Sequence, residues 1–215
     1  MARRIRLASA SSRRLDWLTN HLLSQAEIEA IPLVGEEKSI DGEVSLQVTQ
    51  VLDDKISRAH LQYFLESQNA VENDSLLPPT LWIVADTLVE DPNDVSVALG
   101  KPENELSALR MLLDLSGRRH LVWTGTAILD FEKSEPIVNR FVESAIVEFK
   151  SLDESSLNEL LSSGSWKGKA GGYDMAGHAK IFTQLVDGEE VTVLGFASEA
   201  IEKIRKIIDY SDSNS

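Results

Sequence analysis

The segment that most restricts the fold is Leu81-Trp82-Ile83-Val84-Ala85, an unbroken apolar run that begins shortly after Pro78-Pro79 and stops at Asp86-Thr87. A run this short, rich in β-branched and aromatic side chains and bounded by turn signals, predicts a central buried strand. The chain before it reads as strand, polar turn, helix: Ile5 to Leu7, then Ser9-Ala10-Ser11-Ser12, then a helix from about Arg13 with Leu15, Leu18, Leu22 and Leu23 on one face. Ile28 to Leu33 predicts a second strand, Leu46 to Phe64 a long helix, and Asn69 to Pro79 a surface loop.

Beyond the central run, Asp91-Pro92-Asn93-Asp94 turns the chain into a hairpin that ends near Gly100-Lys101-Pro102. Pro102 suits the first turn of a helix burying Leu106, Leu109, Leu112 and Leu113, and Gly117 its stop. His120 to Phe131 and Arg140 to Phe149 predict long neighbouring strands. Ser151 and Glu154 have capping-box spacing for a short helix ending at Gly164. A glycine-dense loop, 168–177, leads to strands near Ile181 to Val186 and Val191 to Leu194, a last helix from about Ser198, and a polar tail after Tyr210. The alternation of strands and helices predicts an α/β fold, and the adjacent long strands make its sheet mixed. With no repeat or linker, residues 1–210 read as one domain with two lobes, followed by the tail at 211–215.

Composition removes several functional classes. The charge, 21 basic minus 35 acidic residues or -14, opposes binding to nucleic acid polymers or anionic membranes, and no run approaches a membrane span. Without Cys there is no thiolate metal site and no cysteine nucleophile, and the four His residues lack paired-ligand spacing, so a metal would have to sit on oxygen. The basic start, Met1-Ala2-Arg3-Arg4, is followed by too short an apolar stretch for a signal segment, and the chain reads as cytoplasmic.

Four features carry chemistry. The turn Ser9-Ala10-Ser11-Ser12-Arg13-Arg14 gathers hydroxyls, backbone N–H groups and two guanidiniums at a helix N-terminus, an anion site by construction, although a plain N-cap with solvated arginines would look the same. Asp86, at the expected exit of the central strand, stands where α/β folds collect ligands, although a turn-forming Asp is the plainer reading. Glu36-Glu37 offers a second carboxylate for a hard divalent cation, and Gly100-Lys101-Pro102 could aim an ammonium at phosphate. Gly164 to Ala170 mimics a P-loop but is one residue short and ends in Ala where the hydroxyl belongs, so it is not a Walker motif.

Taken in order, Leu7-Ala8-Ser9-Ala10-Ser11-Ser12-Arg13-Arg14, Glu37, Lys55, Ala85-Asp86-Thr87, Gly100-Lys101-Pro102, Thr124-Gly125 and Lys169-Ala170-Gly171-Gly172-Tyr173 resemble the Maf family of nucleoside triphosphate pyrophosphatases, also called septum-formation inhibitors. The resemblance runs from about Ile5 to Lys206. It implies a mixed twisted sheet flanked by helices, related to inosine triphosphate pyrophosphatases, with two lobes, a central cleft and frequent homodimers. The implied reaction is hydrolysis of a nucleoside triphosphate to monophosphate and pyrophosphate with Mg2+ or Mn2+, a nucleotide-pool-sanitising activity. Ser9, Arg13 and Arg14 carry over as phosphate-loop residues, Lys55 and Lys101 as phosphate-contacting lysines, Glu37 and Asp86 as the acidic metal pair, and Asp86 also as the catalytic base.

Two departures stand out. Ser12 replaces the family's proline, and Asp174-Met175-Ala176-Gly177 replaces a Gly-Ile-Gln-Gly stretch, so no amide at 176 can pair with a uracil or thymine edge. Asp174 is the substitute the loop offers for substrate binding; otherwise the base preference should be broad or shifted. The rival reading is a nucleotide-binding regulator of cell division with weakened turnover. Retention of both Asp86 and Glu37 favours the enzyme, since a pure binder gains little from anions beside a polyanion.

Overall fold

A computed structural model describes residues 3–22, 26–35, 40–133 and 135–212, with backbone alone over 210–212. The element order is β1 (Arg3–Leu7), α1 (Ser12–Leu22), β2 (Ala26–Ala30), α2 (Val44–Glu72), β3 (Leu81–Asp91), β4 (Asp94–Leu99), α3 (Glu105–Leu115), β5 (Arg119–Asp130), β6 (Ile137–Phe149), α4 (Glu154–Ser162), β7 (Thr183–Asp187), α5 (Glu190–Leu194) and α6 (Ser198–Asp212). Seven strands form one mixed sheet in the order β2-β1-β3-β5-β6-β7, with β4 hairpinned onto β3. β1 lies parallel to β2 and β3, and the other pairings are antiparallel.

The apolar run is the first half of β3, and its alternation explains why every residue in it is apolar. Side chains point to opposite faces in turn. Leu81, Ile83 and Ala85 pack with Leu18 and Leu22 of α1 and Ile201, Ile204 and Ile208 of α6, whereas Trp82 and Val84 pack with Leu52, Ile56 and Ala59 of α2. The second half of β3 belongs to another core: Val89 joins Leu99, Leu112, Leu115, Val122, Val147, Phe149 and Trp166. One strand thus runs from a lobe built on α1, α2 and α6 into a lobe built on α3 and α4.

Several boundaries differ from the sequence expectation, each for a local reason. β3 does not end at Asp86 but continues to Asp91, with Asp86 opposite Gly125 of β5. Residues Asn69 to Glu72 extend α2 rather than forming loop. α3 buries Ala108, Leu112 and Leu115 and exposes Leu106 and Leu113. Its start is set by Asn104, whose side chain accepts from Ser107 N at 3.0 Å while Ser107 Oγ accepts from Asn104 N at 3.1 Å, so Pro102 lies outside the helix. α4 is capped by Asp153, which accepts from Ser156 N at 2.8 Å, not by Ser151. Val191–Leu194 is helix, not strand. Strand β2 falls two residues before the expected start and ends at Ala30. α6 continues to Asp212, into the residues read as tail.

Candidate active site

The alternation that fills the core of β3 also separates the two polar residues in its middle. Asp86 follows the parity of Trp82 and Val84 and turns toward α2, where Lys55 Nζ donates to its Oδ1 at 2.6 Å. Thr87 follows the parity of Ala85 and turns toward α1, where its Oγ1 accepts from Arg14 Nη2 at 2.9 Å. Because both side chains find partners on neighbouring elements, the polar pair interrupts the hydrophobic pattern without interrupting the strand. Opposite Asp86, Gly125 keeps the sheet surface low. A Cβ there would lie 3.2 Å from Leu52 Cδ2, so the glycine lets α2 approach closely enough for Lys55, three residues on, to reach the carboxylate.

Asp86 lies on the wall of a cleft of about 620 Å3 lined by the Ser9-to-Arg14 turn, Lys55 and Arg58 of α2, the middle of β3, Gly100-Lys101 and the glycine-rich loop from Lys167 to Met175. Seven basic side chains line it: Arg13, Arg14, Lys55, Arg58, Lys101, Lys167 and Lys169. Asp86 is its only acidic lining residue among the described residues. In a chain of net charge -14, this is an inversion of local charge that gathers cations around one carboxylate.

The two arginines of the turn are held differently. Ser11 Oγ accepts from Arg14 N at 3.4 Å in the N-cap position, which starts α1 and sends consecutive arginines to different sides of its first turn. Arg14 is buried, and each of its guanidinium nitrogens donates to the protein: Nε to the Gly195 carbonyl at 2.9 Å, Nη1 to Ser9 Oγ at 3.2 Å and Nη2 to Thr87. Arg13 is held only by a 3.7 Å ion pair with Asp174, and its buried Nε has no hydrogen-bond partner among the described residues. Lys169 Nζ lies 3.3 Å from the other carboxylate oxygen of Asp174. Lys101 is exposed and makes no hydrogen bond or ion pair among the described residues, which leaves it able to reach into the cleft.

The glycine-rich wall is anchored at two points near its middle. Gly171 N donates to the Gly100 carbonyl at 3.1 Å, tying the loop to the Gly100-Lys101 turn. Tyr173, which lines the cleft, shares a 2.8 Å hydrogen bond through its hydroxyl with Nε2 of buried His120 on β5. Burial pushes the His120 imidazole down to about 4 and raises the Tyr173 phenol well above its ordinary value, so both are neutral near pH 7.

A family model described as "Maf-like protein" matches residues 4–206. The chain belongs to the Maf-like protein family. Curated relatives of this Maf-like chain include a dTTP/UTP pyrophosphatase of Pyrococcus horikoshii, 30% identical over 204 residues that cover 94% of this chain and 95% of that protein. A dTTP/UTP pyrophosphatase of Zymomonas mobilis is 31% identical over 201 residues, covering 91% of this chain and 86% of the other. A human relative, named "Probable bifunctional dTTP/UTP pyrophosphatase/methyltransferase protein", is 32% identical over 198 residues, which are 90% of this chain but only 30% of the human protein.

Of the residues that the Maf resemblance carried over, Ser9, Arg13, Arg14, Lys55, Asp86 and Lys101 converge on the one cleft. Glu37 lies outside the described residues. Asp174 does not line the cleft: its carboxylate is engaged by Arg13, by Lys169 and by Ala176 N at 3.2 Å, which leaves it behind the wall as a counter-ion. Ala176 is exposed and also off the lining, where the buried neighbour Met175 stands instead. Sequence reasoning missed Arg58, whose place three residues after Lys55 on one helix was a usable signal. It also set aside Lys167 and Lys169 with the rejected P-loop, although both face the cleft as simple cations.

Among the described residues no group of three or more His, Asp or Glu side chains could cage a metal ion. A hard divalent cation of a nucleotide enzyme needs less, commonly one or two carboxylates with phosphate oxygens and water completing its shell. Asp86 fits that requirement, since Lys55 takes Oδ1 and no hydrogen bond or ion pair engages Oδ2 among the described residues.

Proposed function

We propose that the chain hydrolyses a nucleoside triphosphate to the monophosphate and pyrophosphate, with Asp86 as the catalytic residue and a divalent cation, Mg2+ or Mn2+, held in part by Asp86. The observation that carries this reading is the cleft in which, among the described residues, seven basic side chains surround a single carboxylate. Such a lining matches a polyanion and leaves one group able to take a proton. The relatives named as dTTP/UTP pyrophosphatases support the same reaction.

In the reaction, Arg13, Lys101, Lys167 and Lys169 hold the phosphates from the turn and loop walls. Water attacks the α-phosphorus, the bond to the α–β bridging oxygen breaks, and that oxygen leaves with pyrophosphate. Asp86 orients the attacking water and takes its proton, while Lys55 fixes the carboxylate in position. A bound divalent cation supplies charge neutralisation of the leaving pyrophosphate. Tyr173 and Met175 add apolar surface to the lining of the cleft.

The test is pyrophosphate release from a panel of the common and several modified nucleoside triphosphates with Mg2+ or Mn2+. Turnover of at least one triphosphate to monophosphate and pyrophosphate in equal amounts is expected. Release of orthophosphate instead, or tight binding without turnover of any member, would contradict the reading. The panel also shows the base preference, which Asp174, committed to cations, and Ala176, exposed, leave to other residues of the cleft.

A further inference from the structure

Arg14 is one of the cleft's cations, yet its geometry does not suit a substrate ligand. All three of its guanidinium nitrogens donate to protein acceptors, and it is buried where Arg13 beside it is partly exposed, with an Nε that finds no partner among the described residues. Its three partners belong to three separate segments: Ser9 in the turn that follows β1, Thr87 next to Asp86 on β3, and Gly195 between α5 and α6.

The hydrogen-bond directions in this cluster are fixed by counting protons. Thr124 Oγ1 donates to the Thr192 carbonyl at 2.8 Å, and a hydroxyl has one proton. The 2.9 Å contact between Thr87 Oγ1 and Thr124 Oγ1 therefore has Thr87 as donor and Thr124 as acceptor. Thr87 in turn accepts from Arg14. The chain runs one way, from guanidinium through two hydroxyls to a backbone carbonyl, with both hydroxyl protons used. Gly195 makes room for it. Its φ is +113°, and a Cβ there would sit 2.7 Å from Arg14 Nε and 3.1 Å from Thr87 Oγ1.

We infer that Arg14, Thr87 and Gly195 form a positioning clamp that locks the phosphate-binding turn to the strand segment carrying Asp86, so that Arg13 alone of the arginine pair meets the triphosphate. The inference rests on the proposed pyrophosphatase reading and assigns no contact between Arg14 and substrate. Because Thr87 is the backbone neighbour of Asp86 on the opposite face of β3, the clamp sets the carboxylate's position relative to the turn. It should govern turnover rather than phosphate affinity.

Two measurements separate these roles: kcat for pyrophosphate release, and the Kd of inorganic tripolyphosphate by calorimetry without metal. Thr87→Val and Gly195→Ala, which leave every cation in place, are expected to lower kcat about tenfold or more while the tripolyphosphate Kd stays within about twofold, since displacement of a catalytic group by about 1 Å can cost about a hundredfold. Thr87→Ser, which restores the hydroxyl, should recover kcat. Arg14→Lys should behave like Thr87→Val, whereas Arg13→Ala should weaken tripolyphosphate about tenfold or more, the loss of a charge-assisted hydrogen bond. Thermal melting identifies the folded variants, and Thr87→Val and Gly195→Ala strike the clamp from two sides, so either one decides. Wild-type kcat in a folded Thr87→Val or Gly195→Ala protein, or a tenfold loss of tripolyphosphate affinity in Arg14→Lys at unchanged kcat, would overturn the clamp. Failure of wild type to bind tripolyphosphate would instead overturn the cleft reading before any variant is compared, and the clamp with it.

Discussion

Two adjacent arginines of identical chemistry have different surroundings because α1 begins directly after its cap at Ser11 and successive residues of its first turn point to different sides, Arg13 along the cleft and Arg14 inward toward β3. Arg13 keeps donors available, and Lys101 stands on a turn with no competing partner among the described residues. Each is expected to contribute one charge-assisted hydrogen bond to the triphosphate, so Arg13→Ala and Lys101→Ala should each reduce kcat/KM by about 1.5–3 kcal/mol, mostly through KM. Steady-state kinetics on the preferred triphosphate checks this. Unchanged values in both variants would return these residues to solvated surface. Asp174 shows what sequence reading at this scale lacks: its position in the loop suggested a part in substrate binding, but not its ion pairs with Arg13 and Lys169, which are visible only in the fold.

At the scale of elements, the strand alternation of β3 was legible as far as Ala85 and misread beyond it. A polar pair after an apolar run reads as a turn unless Lys55, Arg14 and Thr124 are known to meet it, and those partners lie 31, 73 and 37 residues away in sequence. α5 was misread for a different reason: five residues cannot display a helical period, and Val191, Thr192 and Val193 have strand-like branching. The long β5 and β6 strands were read from their Val, Ile, Thr and aromatic side chains, although β6 begins at Ile137, three residues before the expected Arg140.

His120 on β5 carries a consequence for stability. Its imidazole titrates near 4 in the folded chain against 6.5 when free, so in that interval the unfolded chain binds the extra proton. The contribution of neutral His120 is complete above about pH 6.5 and is lost as pH falls toward 4, about 3 kcal/mol in full from a shift of that size. Urea unfolding at several pH values should show this loss, and His120→Gln, which cannot take the proton, should flatten it. An equally steep acid loss in His120→Gln would place the titrating group elsewhere. Because Tyr173 hangs from His120, the glycine-rich wall is expected to loosen before the rest of the fold.

At the scale of the whole molecule, a chain with 14 more acidic than basic residues encloses a cleft lined, among the described residues, by seven cations and one acid. The sheet accounts for this contrast: β1 ends at the phosphate-binding turn, β3 passes its centre under α2, and β5 backs both, so cations from distant segments meet at one strand residue. The acidic exterior disfavours a long nucleic acid backbone, while a compact polyanion reaches only the inverted interior. The central claim is that Asp86 performs the chemistry in that interior, and its most direct test is pyrophosphate release by Asp86→Asn, a nearly isosteric change that removes the charge. A loss of at least about a hundredfold in kcat is expected, in the range of general-base removal, with the melting temperature and tripolyphosphate binding retained. A folded Asp86→Asn protein that loses only a few-fold in kcat would contradict it.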